Sequence, residues 1–367
     1  MIDLLRSLIR IESDTKEGAN HALDFSANWL EDRGVTVNVL ENEGHKMLVA
    51  EVGQGKETLI WNGHLDIVPG KKEQFDPYIE GDKVYGRGSA DMKGGCAAMM
   101  EAFVGITKHA DRLTKKVQLH LVTDEETGGS KTSKYLVEQG YTGDFVICGE
   151  PTFLKIGLQA KGISQFFITF HGKGAHGSRP WEGDNAILQS HKFHELLIQQ
   201  EWTKVSSDYY DHPSINLARI SGGDRFNMVP DTCEVGYDIR FVPGQSVEFV
   251  EQQLTNLLKE HFPTAEIRRR GISPAVTTSD QDPRILQLLD IMKDETMLMG
   301  QHGSADTRHY AVTGAGAIEF GPAGGDWHGP TEFVSISSME RYRDILMEFA
   351  FYTEVPKEVY KNANEGI

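Results

Sequence analysis

The stretch TLIWNGHLDIV, residues 58–68, decides the fold. It opens as an apolar run and turns polar at His64 and Asp66. A short run of this kind reads as a strand buried on both faces, as strands of a parallel sheet are. Two more runs repeat the design. VQLHLVTDEETGG (117–129) runs into Glu125 and Glu126, and DFVICGEPT (144–152) runs into Glu150. Helical spacing fills GGCAAMMEAFVGITKH (94–109) and SKYLVEQG (133–140). Upstream, residues 1–12 and HALDFSANWLEDRG (21–34) read as helices, the second closed by Gly34, with VTVNVL (35–40) and KMLVAEVG (46–53) as strands. Strand and helix in alternation predict an α/β domain: a mostly parallel central sheet flanked by helices.

The rhythm changes after about residue 160. SQFFITFHG (164–172) reads as a strand, residues 183–202 as a long helix, and SINLARISGG (214–223) and CEVGYDIRFVP (233–243) as antiparallel strands. A helix over 247–262 and a strand over 264–272 follow. Strand-helix-strand-strand-helix-strand is the ferredoxin-like α+β order. From about residue 275 the first rhythm returns: helix at PRILQLLDIMKDE (283–295), strand at AGAIEFGP (315–322), helix at SISSMERYRDILMEFAFYTE (335–354). The expected organisation is one domain from residues 1–160 and 274–367, with a second, 161–273, inserted into it. The tail KNANEGI (361–367) is expected to fray.

Formal net charge is −17, which removes the basic footprint that nucleic acid requires. No apolar run approaches the roughly 20 residues of a membrane span, and the start has no signal-peptide pattern. Cys96, Cys148 and Cys233 are scattered and odd in number, which points to a reducing compartment; a cytoplasmic location is expected.

In an open α/β sheet, ligands gather beyond the carboxyl ends of the strands. His64, Asp91 in GRGSADMKGG (86–95), Glu126, Glu150 and His328 in GDWHGPTE (325–332) each follow an apolar run, closely or at a short remove. Two imidazoles and three carboxylates suit two divalent metals sharing one carboxylate, Zn with Co or Mn as alternatives, better than a structural zinc knot. Each signal also has a plain reading. HLD and TDEETGG are ordinary polar turns, and GRGSADMKGG suits a phosphate loop, although it lacks the P-loop spacing. Asp66, two residues beyond His64 on an extended strand, is placed to take the second ring N–H of that histidine. In an extended chain Glu125 and Glu126 point oppositely, so one can bind metal while the other serves as general base on a water whose pKa the metals depress. GKGAHG (172–177) satisfies GxGxxG, but Pro180 and Gly183 delay the helix that a dinucleotide needs. His176 is then either a loop histidine or a movable donor near substrate.

GHLDIVP, GRGSADMKGG, DEETGG, GEPT, GKGAHGSRP and HGPTE, in this order, resemble the motifs of the M20 family of metallohydrolases. The resemblance runs from about residue 60 to 335 and is nearest to the acetylornithine deacetylase and succinyl-diaminopimelate desuccinylase branch. It implies that His64, Asp91 and Glu150 hold one metal, and Asp91, Glu126 and His328 the other. It implies Glu125 as general base, Asp66 as partner of His64, and His176 as a donor that reaches a partner subunit's site to steady the tetrahedral intermediate. Asn227 and Arg240 match substrate-contact positions, Arg240 gripping a carboxylate, and Gly303 and Ser304 resemble a substrate loop. The inserted domain would be the lid or dimerisation domain of a homodimer. Desuccinylases carry Arg-Arg-Gly-Ser before the first strand of that domain; Ala160-Lys161-Gly162-Ile163 stands here and looks more like the deacetylases. The implied function is removal of an N-acetyl or N-succinyl group from an amino acid such as ornithine or diaminopimelate. A metallo-dipeptidase or aminopeptidase on the same core, and a metal-stabilised binding protein without catalysis, are the other readings.

Overall fold

The computed structural model describes residues 1–293 and 296–353; KNANEGI lies outside them. The chain divides into two compact units. The first is Met1–Leu158, Thr277–Met299 and residues 305 onward; the second is Gln159–Val276 with Gly300–Ser304.

In the first unit the strand Thr58–His64 lies mid-sheet, with every residue after Thr58 buried. It runs parallel to Lys116–Val122 on one side and to Phe145–Cys148 on the other. Gly316–Glu319 extends the parallel set beyond Phe145–Cys148. The flanks are antiparallel: His45–Val52 against Lys116–Val122, then Val37–Asn42, and on the far side Ile156–Ala160. The sheet is therefore mixed and parallel at its heart, and the four parallel strands finish along one edge. Apolar cover on the sheet makes this possible. The helix Gly94–Thr107 is apolar nearly all round and packs on Ile336–Phe351. Trp61 meets Phe103 edge-on at 6.2 Å, and Phe145 meets Phe349 at 6.0 Å. Each such pair adds about 0.5–1.5 kcal/mol beyond its area burial.

A small second sheet in this unit has no forerunner in the sequence reading. Gly324–Gly325, Phe333–Ser335, Lys83–Tyr85 and Tyr78–Glu80 pair in that order. It brings the loop after residue 85 alongside the turn before residue 333.

The second unit is a four-stranded antiparallel sheet in the order Ser214–Gly222, Thr232–Phe241, Gly162–His171, Glu266–Ser273. Gly162–His171 alternates strictly between buried and half-buried, as a strand with one covered face must. The helices Ala186–Ile198 and Val247–His261 supply the cover, with Phe166, Ile168, Phe170, Phe193, Leu254 and Leu258 in the core between. Asn185 and Ser246 cap these helices through their side chains. This is the ferredoxin-like arrangement. Among the described residues no helix is long and apolar enough to cross a membrane.

Candidate metal centre

The edge where the parallel strands end carries the site. His64 is the last residue of its strand, level with Val122, and Asn62 is level with Cys148. Glu125 and Glu126 follow Val122 after two residues, and Glu150 follows Cys148 after one. These four side chains therefore converge because three neighbouring strands stop together.

Asp91 arrives differently. It sits in the irregular turn Ser89–Lys93 that opens the helix Gly94–Thr107. Buried Glu332 holds this turn: its carboxylate accepts the N–H groups of Gly88 at 3.0 Å and of Ala90 and Asp91 at 3.1 Å, and pairs with Arg87 at 2.6 Å. A second Arg87 nitrogen donates to the His328 carbonyl at 3.1 Å. Glu332 closes the HGPTE motif, yet the sequence reading gave it no role. On the other flank the buried Lys93 ammonium donates to the carbonyls of Leu8 and Ile11, and burial pulls it down to about 7.

The five side chains form two groups that share Asp91, with the possible ligand atoms of each group within 4.8 Å of one another. In the first, His64 Nε2 is 3.1 Å from Asp91 Oδ1 and 3.8 Å from Glu150 Oε1. In the second, His328 Nε2 is 3.3 Å from Asp91 Oδ2 and 3.4 Å from Glu126 Oε1. Each Asp91 oxygen thus serves a different histidine. His64 Nδ1 lies 2.9 Å from the Asp66 backbone carbonyl and 3.6 Å from its carboxylate. A proton on Nδ1 then goes to the carbonyl and leaves Nε2 free to face Asp91 and Glu150. The Asp66 carboxylate accepts the Glu126 N–H at 2.9 Å.

The extended backbone expected at Glu125 and Glu126 is not what forms. Glu125–Thr127 is a 3-10 turn. Gly128 donates to the Glu125 carbonyl at 2.7 Å and Gly129 to the Asp124 carbonyl at 2.8 Å, and both glycines have positive φ. The two carboxylates still separate: Glu126 turns to His328, and Glu125 lies 3.6 Å from Arg308.

Arg308 belongs to a second set that the sequence reading passed over. In SADTRHY, Asp306 accepts the Ser133 hydroxyl, and His309 meets the Gly128 carbonyl at 3.1 Å. A Cβ on Gly129 would stand 2.1 Å from Asp306 Oδ1, so this backing admits only glycine there. The legible signal was a dense run of charge at the start of a short helix, two to five residues beyond Ser304.

The electrostatics are those of too many negative groups in too little water. Burial, then the charge of Asp306, pushes Glu125 well above the usual carboxylate range. Burial, then Asp91, does the same to Glu150; burial also raises Glu126, and takes Asp66 up to about 6. Burial opposes charge on His64, but the hydrogen bond to Asp91 and the nearby carboxylates outweigh it and raise its pKa well above the ordinary value. The Asp91 hydrogen bond raises His328. Burial works against ionised Asp91, yet its two histidines hold it well below its ordinary range. Glu126 Oε1 and Asp66 Oδ1 are buried and accept no hydrogen bond. Orphaned carboxylate oxygens among imidazoles fit divalent cations, which would supply the missing positive charge.

The remaining predicted site residues belong to the second unit. His176 is exposed and its Nδ1 lies 2.8 Å from Ser178 Oγ. Gly177 donates to the Asn227 carbonyl at 2.8 Å, so the His176 and Asn227 segments run side by side. Arg240 forms a two-point pair with Asp238, at 2.7 and 3.1 Å. Gly303 and Ser304 lie in the short return segment. GKGAHG leads into a loop and the 3-10 turn Pro180–Glu182, not into a helix.

The chain is similar to known proteins over nearly its whole length. Residues 60–351 match the family described as Peptidase family M20/M25/M40. An acetylornithine deacetylase from Aliivibrio fischeri is 28% identical over 372 residues, covering 94% of each chain. A succinyl-diaminopimelate desuccinylase from Halorhodospira halophila is 27% identical over 393 residues, covering 97% of this chain and 99% of its own. The crystal structure of an aminopeptidase from Bacillus cereus superposes with a TM-score of 0.80 at 18% identity, covering 95% of this chain and 97% of the other. At that identity the likeness speaks for the fold alone.

Proposed function

The chain belongs to peptidase family M20/M25/M40, and from that premise we propose that it removes an N-acyl group, acetyl or succinyl, from an amino acid such as ornithine or diaminopimelate. It is a metal-dependent hydrolase of amide bonds. The acetylornithine deacetylase and succinyl-diaminopimelate desuccinylase relatives support the acyl group, and one observation of the site supports the hydrolysis. Glu125 is a largely buried carboxyl that stands outside both groups of candidate ligands.

His64, Asp91 and Glu150 would hold one divalent ion and Asp91, Glu126 and His328 the other; Zn is proposed, and the same donors accept Co or Mn. Two such cations, when bound, lower the pKa of water and polarise the scissile carbonyl. The Glu125 carboxylate takes the proton of the attacking water and returns it to the nitrogen of the leaving amine. Arg308, 3.6 Å away, holds that carboxylate in place. The Asp66 carbonyl keeps the His64 proton on Nδ1. His176 is assigned the donor to the developing oxyanion, from a partner subunit. Asn227, Gly303 and Ser304 are assigned to substrate contact, and Arg240 to sharing its guanidinium between Asp238 and a substrate carboxylate. We assign the second unit as a lid and homodimer contact, since its edge strand Ser214–Gly222 leaves Ile220 exposed. Three buried free thiols fit the cytoplasm.

The test is a panel of N-acetyl-amino acids, N-succinyl-diaminopimelate and dipeptides, run with and without chelator. Chelator-sensitive release of the amino acid from an N-acyl substrate is expected. Hydrolysis confined to dipeptides would replace this reading with the peptidase one.

A further inference from the structure

Two exposed aromatic side chains flank the candidate metal centre, and neither has a role in the chemistry above. Phe153 lies three residues past Glu150, and Trp327 directly precedes His328. Their rings face each other at 6.3 Å with 47° between the planes. Phe153 is 53% exposed and Trp327 44%; rings of this size normally bury most of their surface.

Their positions are held, not loose. Leu154 N–H donates to the Gly321 carbonyl at 2.9 Å, and Thr152 Oγ1 accepts the Gly321 N–H at 3.0 Å. Across from them, Asp326 accepts the N–H and hydroxyl of Thr331 and, through its carbonyl, the Gly329 N–H. Among the described residues six non-glycine residues have positive φ, and four of them are Phe153, Leu154, Asp326 and His328. Backbone of this kind costs about 1–3 kcal/mol per residue, and such residues cluster at ligand clamps. The cluster is open on this side: the His328 side chain is half exposed, against 1% for His64 and 12% for Glu150. Trp327 is the chain neighbour of this open imidazole and is itself exposed.

Resting on the deacylase reading above, we infer that Phe153 and Trp327 form an apolar subsite that sets substrate class. Among N-acyl-amino acids this subsite favours an alkyl or aromatic group beside the scissile amide, in the acyl group or in the amino-acid side chain, and so narrows the deacylase reading away from the charged side chains of ornithine and diaminopimelate. Both rings are preformed, so the apolar group is desolvated without first ordering the protein.

The experiment compares kcat/KM for an apolar and a polar substrate within each variant. N-acetylphenylalanine and N-benzoylalanine place the apolar group on opposite sides of the amide; N-acetylornithine is the polar reference. In Phe153→Ala and in Trp327→Ala the apolar-to-polar ratio should fall about tenfold for at least one apolar substrate, the scale set by lost contacts in an apolar pocket. Phe153→Tyr and Trp327→Phe should keep it. Metal content is measured on every variant, and Phe153→Ala alone decides if Trp327→Ala disturbs His328. An unchanged ratio overturns the subsite, as does a loss falling mainly on N-acetylornithine, which would make the pair a reader of cations. If the metal-loaded wild type hydrolyses no N-acyl-amino acid, the deacylase reading fails instead, which the wild-type rates reveal before any variant is made.

Discussion

The two units fold around interiors of opposite character. In the second, the core is Phe, Leu, Ile and Val, and no carboxylate or imidazole among its described residues is buried. In the first, His64, Asp66, Asp124, Asp306 and Glu332 are buried, and Glu125 and Glu150 nearly so. Burying charge without partners is expensive. The second unit has the composition that stability alone favours. The first gathers its buried carboxylates at one sheet edge, and the contrast separates residues that hold the fold from residues that serve the chemistry.

The largest effect is expected where that separation is sharpest. Glu125→Gln should keep both metals and lower kcat by about 10²–10⁴-fold, the usual worth of a positioned acid–base group; elemental analysis beside steady-state kinetics reads both. Near wild-type turnover would remove Glu125 as the base. Next comes a matched pair. Phe193→Ala, in the second core, and Glu332→Ala, beneath Asp91, should each cost about 3–5 kcal/mol in urea denaturation. Only Glu332→Ala should also weaken metal binding, because only Glu332 holds the Asp91 turn. Equal metal affinity in both would erase the contrast.

Smaller still is the gain from metal. Zn at a hundredfold over Kd should add about 2.7 kcal/mol per occupied site to the first unit, seen as a chelator-reversible rise in Tm. The last effect is pH dependence in the metal-free protein. Asp66 is raised to about 6 by burial, and Glu125 and Glu150 are also raised. The folded state holds these protons more tightly than the unfolded one, so their stabilising contribution is complete below about pH 4 and is lost as pH climbs through the raised values. Raised His64 has the same sign at higher pH. Depressed Asp91 has the opposite sign, acting as pH falls below about 4. Between pH 4 and 8 the metal-free protein should lose stability on the order of 1 kcal/mol per pH unit, read as a falling Tm, and metal should flatten the drift. A flat metal-free profile would mean the crowding of carboxylates is relieved in some other way.

What could be read in the sequence was whatever neighbouring residues decide. TLIWNGH declares a buried strand, and the polar residue that ends it declares the edge. The same holds for Glu126 and Glu150. The 3-10 turn at Glu125–Thr127 was missed because its hydrogen bonds to Gly128 and Gly129 compete with an extended path that DEET alone also permits. Glu332 was missed for a different reason: the N–H groups it satisfies lie as far as 244 residues away in the chain. Arg308 is likewise remote in sequence from Glu125. Ligand types show locally, whereas the groups that aim them are known only after folding.

The placement of Gly316–Glu319 has a consequence for how the protein is made. This strand lies between Phe145–Cys148 and Ile156–Ala160, which are translated long before it. Until the ribosome has emitted Gly316–Glu319, the nascent sheet has a slot between those two strands, and His328 is not yet available to the acidic edge. Only the group of Asp91, Glu126 and His328 waits for that residue, and a chain cut short of it would present unpaired strands and repelling carboxylates to the cell's quality-control machinery.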